Sequence, residues 1–267
     1  MKNGTSPAPA VSTRREPSDT GTVQRLLTLL LALGEQERWP LGELSRSLDL
    51  PRATTHRLLG LCKPLGFVAQ DPDGRYAVGP GLHRLAGRLS ARLPFERIAR
   101  PILERLCAEA GETALLTLLD RPALGMSFSL VASPPDPMRY TIETHRLQPL
   151  AWGASGRSLL AWLDDAEVEE VVRRAEPSPL DGRPLDAREL RASLARVRTC
   201  GHSVTHAQRT PGAWGIAVPF FGADGAVRGN LTYTVPEHRY KRRQVPRLLA
   251  LLAEGARELQ AAIGGAP

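Results

Sequence analysis

Between Leu41 and Lys63 the chain reads LGELSRSLDLPRATTHRLLGLCK, a stretch that places side chains able to read nucleotides at one end of a short helical pattern. Arg52, Thr55 and His56 can donate or accept hydrogen bonds at base edges. Arg57 suits a phosphate oxygen, a contact that fixes register without reading sequence. Ala53 is small enough for the backbone to approach bases closely. Two other clusters could do chemistry of a different kind. Gly153-Ala154-Ser155-Gly156-Arg157 approximates the G-x-S-x-G elbow of serine hydrolases, but Arg157 stands where the last glycine belongs, and no His and acid can be assigned to Ser155. Cys200, His202 and His206 have even spacing, would share a strand face, and suit a soft metal. They lack a clear fourth ligand, so they are read as packing or hydrogen-bonding residues, and neither metal nor cofactor is expected. No phosphate loop and no G-x-G-x-x-G occurs.

The elements around Arg52 must hold it outward. Leu41, Leu44 and Leu48 recur at helical spacing, which predicts a helix over 41–48. Asp49 and Leu50 form a turn, and Pro51 suits the first position of the next helix. In that helix Thr54, Leu58, Leu61 and Leu65 form a stripe expected to face the core. Arg52, Ala53, Thr55, His56 and Leu59 are expected on the other side, with Arg57 on the flank. Gly66 ends the helix as a left-handed glycine would. Phe67–Ala69 and Arg75–Val78 then flank the turn residues Asp71-Pro72-Asp73-Gly74, a hairpin signal. A further helix over Val23–Leu33, capped by Thr20 or Thr22, precedes them. Helix, helix, helix, hairpin is a winged helix-turn-helix. The candidate DNA-binding residues are Arg46, Arg52, Thr54, Thr55, His56, Arg57 and Arg75.

Residues 20–92 resemble the DNA-binding domain of the IclR family of bacterial transcription regulators. The likeness rests on VQRLLTLLLAL followed by LGELSRSLDLPRATTHRLLGLCKPLGFVAQDPDGRYAVGPGLHRLA, whose pieces match in order. The resemblance implies a DNA-binding transcriptional repressor controlled by a small-molecule effector. It further implies a homodimer or dimer of dimers on a pseudo-palindromic double-stranded operator, with no catalysis. The alternative is a ligand-binding module or enzyme whose winged domain mediates protein contacts.

Composition is consistent with that reading. The 267 residues suggest two domains. Net charge is +7, and residues 1–92 hold 13 Lys+Arg against 8 Asp+Glu, which is +5 of it. A basic N-terminal part suits a nucleic-acid partner, although charge alone decides little. Three cysteines are too few for a disulfide scaffold and point to a reducing cytoplasm. The apolar run Leu26–Leu33 is too short to span a bilayer, and no cleavage-site pattern follows it.

The expected fold class is α+β. Residues 1–19 form a disordered tail, 20–80 the winged helix-turn-helix, 81–93 a linker helix ended by Pro94, and 94–267 an effector-binding and oligomerisation domain. In the last, helices are expected over 95–110, 187–199 and 244–263, and another begins over 156–163, which 167–174 continues or replaces. Strands are expected over 114–119, 124–132, 139–144, from 204, 216–221 and 227–235. Strands in hairpins between helices suggest an antiparallel sheet with helices packed on it, and the resemblance implies a GAF/PAS-like effector domain. Three segments carry the implied effector site: Leu150–Ala161, Gly201–Pro219 and Leu231–Pro236. Small residues at a helix start leave N–H groups for an anion or carbonyl. The effector-binding candidates are Met126, Phe128, Trp152, Gly153, Ala154, Ser155, Thr205, Gly215, Thr232 and Thr234, suited to a small, partly apolar molecule such as an aromatic or short organic acid. Thr205, His206, Ala207 and Gln208 stand where the family usually has acidic residues, and Gly215 where it often has Cys.

Overall fold

The computed structural model describes residues 19–90, 94–135, 140 and 142–264. The expected tail, apart from Asp19, lies outside them. The chain divides into two compact units, 1–92 and 93–267.

The first unit contains α1 (Asp19–Leu33), α2 (Leu41–Ser47), α3 (Arg52–Cys62), the hairpin β1 (Val68–Gln70) and β2 (Tyr76–Val78), and α4 (Pro80–Ser90). Asp49 takes a left-handed φ of 51°, a conformation that Asp tolerates better than most residues. This closes the α2–α3 turn, where the Leu50 N–H donates to the Ser45 carbonyl at 3.0 Å. Pro51 sits one position earlier than expected, as the extended N-cap of α3. α3 ends at Cys62 with Lys63 as its C-cap, so Gly66, with φ of 67°, closes the turn that follows and is not the helix-ending glycine expected. The core is Leu29, Leu33, Trp39, Leu44, Leu58, Leu59, Cys62, Val68 and Tyr76.

The second unit carries α5 (Pro94–Ala110), β3 (Thr113–Asp120), β4 (Gly125–Ala132), β5 (Gln148–Pro149), α6 (Gly153–Leu160), α7 (Asp165–Arg174), α8 (Ala187–Cys200), β6 (Ser203–His206), β7 (Ala213–Phe221), β8 (Val227–Pro236) and α9 (Val245–Gly264). Pro94 therefore opens a helix, where it was expected to close the linker helix. The strand expected over 139–144 is not seen among the described residues of that segment. Tyr140 and residues 142–144 have no strand partner, and the rest of that segment lies outside the described residues. The strands make one antiparallel sheet in the order β5-β4-β3-β8-β7-β6.

Side chains alternate across a strand, so each face of the sheet builds its own core. Leu231, Tyr233 and Val235 of β8 join α5 and α9 on one face. Leu115 of β3 and Met126 and Phe128 of β4 join α6, α7 and α8 on the other. Asn230, Thr232 and Thr234 share the second face and are buried against α6. Among the described residues no helix is long and apolar enough to cross a membrane.

Candidate functional site

The outward face of α3 is Arg52, Ala53, His56, Arg57 and Gly60, all exposed. Its N-terminus has no side-chain cap. Arg52 lies over α2, with its guanidinium 2.7 Å from where a Cβ on Gly42 would stand. Arg46 and Arg75 are exposed, and Thr54 is half-buried. Thr55 differs from expectation: it is fully buried, and its hydroxyl donates to the Pro51 carbonyl at 3.3 Å. The expected helical face is rotated by about one residue. Leu59 is fully buried with Leu58 and Cys62, while Leu61 and Leu65 are exposed. Thr55 is thus a packing residue and cannot reach a base.

Two cavities adjoin in the second unit. The outer one, about 670 Å³, runs between the segment 142–152 and the end of α7, with Trp152 and Phe128 in its wall. The inner one, about 60 Å³, lies between the start of α6 and strands β6, β7 and β8. Phe128, Ile142, Arg209 and Thr210 line both. Register explains the inner wall: Thr205 pairs with Gly215 and Gly215 with Thr234, which puts one cross-strand row under α6. A Cβ on Gly215 would stand 2.9 Å from the Ala154 Cβ, so glycine there keeps the cavity open.

A buried polar chain ties α6 to β8. Asn230 Nδ2 donates to the Ser155 carbonyl and to Ser158 Oγ, both at 2.8 Å. Thr232 Oγ1 donates to Asn230 Oδ1 at 2.7 Å and lies 2.9 Å from Ser155 Oγ. Arg157, nearly buried, bonds Glu189 Oε1 at 3.1 Å and Ser193 Oγ at 3.2 Å, which clamps α6 to α8. Arg209 donates to Gln148 Oε1 at 2.6 Å and to the carbonyls of Pro149 at 2.8 Å and Trp152 at 3.3 Å. Burial pulls its pKa down to about 10, so it stays a cation at neutral pH.

The model of the IclR helix-turn-helix domain matches residues 22–72, and that of the bacterial transcriptional regulator IclR C-terminal domain matches residues 89–261. The chain belongs to the IclR family. It is a DNA-binding transcriptional regulator with an effector-binding C-terminal domain, in a family of regulators and not of enzymes. Among IclR-family relatives, the HTH-type transcriptional regulator KdgR of Escherichia coli (strain K12) is 28% identical over 252 residues, covering 94% of this chain and 95% of that protein. The crystal structure of an IclR transcriptional regulator from Alicyclobacillus acidocaldarius is 26% identical, with a TM-score of 0.79, over 92% of this chain and 99% of that one. An IclR homologue from Microbacterium hydrocarbonoxydans, solved in complex with 4-hydroxybenzoate, shares the fold at 23% identity and a TM-score of 0.73, covering 92% of this chain and all of that one (100%).

Of the effector candidates in this IclR-family chain, Phe128, Gly153, Ala154, Ser155, Thr205, Gly215, Thr232 and Thr234 line the inner cavity together. Trp152 lines only the outer one, and its indole N–H donates to the Glu176 carbonyl at 3.1 Å. Met126 lines neither; it is fully buried in the core against α6–α8. Sequence reasoning missed Gln208 and Arg209, whose side chains meet the start of α6 from the β6–β7 loop. The signal was present, since Arg209 is the only Lys or Arg in Gly201–Pro219, the second of the segments assigned to the effector site. The Cys-His cluster is not on one strand face. Cys200 ends α8, His202 precedes β6, and His206 stacks on Trp214 at 4.5 Å with Nε2 3.2 Å from Glu237.

Proposed function

We propose that this regulator binds a pseudo-palindromic operator as a homodimer or dimer of dimers and represses transcription from a nearby promoter. In this reading, Arg52 and His56 face base edges, while Arg57, Arg46 and Arg75 hold phosphates. A small molecule enters the paired cavities of the second unit and favours one arrangement of the assembly. That arrangement sets the spacing of the two recognition helices, which must match half-sites about one helical turn or a multiple of it apart. The observation that carries the reading is the exposed polar start of α3 above a closed apolar core. The cavity lined by Ser155, Thr205 and Thr232 supports the effector half, and the acid bound by the Microbacterium protein is a precedent for a small organic ligand.

Fluorescence anisotropy with the DNA upstream of the chain's own gene tests it. Binding is expected to weaken steeply as salt rises, because phosphate contacts release counterions. No binding at low salt, with or without added metabolites, overturns the reading.

A further inference from the structure

The inner cavity has a hydrogen-bond polarity that its residue types alone do not reveal. Asn230 Nδ2 lies against the Ser155 carbonyl, which only accepts, so the amide orientation is fixed. Asn230 Oδ1 therefore faces Thr232 Oγ1 and must accept its proton. Thr232 has no second proton, so the 2.9 Å contact with Ser155 is made by the Ser155 hydroxyl donating. Ser155 Oγ thus keeps only lone pairs for a ligand. It asks for a donor.

Arg209 lines the same cavity with the opposite demand. Its three hydrogen bonds go to neutral oxygens, which leaves two of its five N–H donors, and among the described residues it has no ion-pair partner. Among the described residues no carboxylate lines the inner cavity, so there a ligand anion meets no repulsion and a ligand ammonium meets no partner. About 60 Å³ of space accommodates on the order of four water-sized groups.

We infer that the inner cavity selects a short hydroxy carboxylate, its carboxylate on Arg209 and its hydroxyl donating to Ser155. The inference rests on the effector-site reading above and names the ligand class of that site.

Calorimetric titration of the full chain tests it with glycolate, lactate and 3-hydroxybutyrate, each beside its deoxy acid and its amide. At least one hydroxy acid is expected to bind, with its deoxy acid and its amide each about tenfold to a hundredfold weaker. Arg209→Gln should erase the preference for acid over amide, and Ser155→Ala the preference for hydroxyl over hydrogen. Gly215→Val should abolish binding by filling the cavity. If none of the hydroxy acids binds the unaltered chain, or if amide binds as well as acid, the inference is overturned while the effector cavity stands. If a hydroxy acid binds Gly215→Val undiminished, the cavity assignment itself falls. The comparison of acid with amide needs no variant, so a misfolded Arg209→Gln does not blunt it.

Discussion

Arg52 and Arg57 sit five positions apart on the exposed face of α3, yet their expected roles differ. Arg52→Ala should relax base preference at one position of the operator, with a loss of about 1–3 kcal/mol there. Arg57→Ala should weaken all sequences about equally and lower the salt slope by about 1. Anisotropy over a set of single-base operator variants at several salt concentrations separates the two. Thr55→Val is the contrasting case. It removes the hydroxyl bond to the Pro51 carbonyl inside the core, so stability should fall by about 1 kcal/mol with base preference unchanged. A changed preference in that variant would return Thr55 to the DNA-facing surface. This residue also marks where the sequence stopped being legible. Leu58, Leu59, Leu61 and Leu65 offer two helical stripes of almost equal quality, one through Leu58 and Leu59 and one through Leu58, Leu61 and Leu65. Periodicity cannot choose between them. Packing against Leu29, Leu33 and Leu44 does.

At the level of elements, the pattern placed α5 to α9 within three residues of their starts, leaving open whether α7 continues α6, and placed the strands that bury both faces. The weak places were those where an element is defined by its partner. β5 is two residues, Gln148 and Pro149, and exists through its pairing with Met126 and Gly125. No alternation could announce it. The reverse case is 139–144, which alternates like a strand although its described residues, Tyr140 and 142–144, pair with no strand. The start of α6 was placed at Gly156, three residues late, because Gly153-Ala154-Ser155 reads as loop by propensity. Tertiary bonds override that preference: Gln208 Oε1 accepts from the Gly153 N–H at 3.2 Å, and Asn230 holds Ser155 and Ser158 from β8. Glu189 and Ser193 complete the clamp from α8 by accepting from Arg157 of α6. Arg157→Met keeps the apolar stem and leaves Ser193 Oγ without its cationic donor. It should lower stability by roughly 2 kcal/mol, the scale of a buried hydrogen bond to a charged group. The urea midpoint should fall with little change in slope; an unchanged midpoint would show that α6 is held from β8 alone.

On the scale of the whole molecule the three cysteines supply a separate gauge for each unit. Cys62 is buried in the first unit, Cys107 is buried in the second, and Cys200 is exposed. Burial raises the thiol pKa of both Cys62 and Cys107, which suppresses the reactive thiolate further. A native sample at mildly alkaline pH should therefore label rapidly at Cys200 alone. In a Cys200→Ser chain, labelling of the other two reports opening of each unit. Among the described residues the first unit rests on nine buried apolar residues and the second on clusters of seventeen and sixteen, so Cys62 should become reactive before Cys107 as urea rises. Operator DNA at about a hundred times its Kd should stabilise the first unit by about 2.7 kcal/mol and slow Cys62 about a hundredfold. A ligand of the cavity should do the same for Cys107. Regulation requires more than these separate effects. Coupling between sites is reciprocal, so if the ligand alters operator affinity by a given factor, operator must alter ligand affinity by the same factor. The ligand's protection of Cys107 should then differ between free and DNA-bound chains. If DNA protects Cys62, the ligand protects Cys107, and neither changes the other's effect, the two units bind independently and the ligand cannot control the promoter.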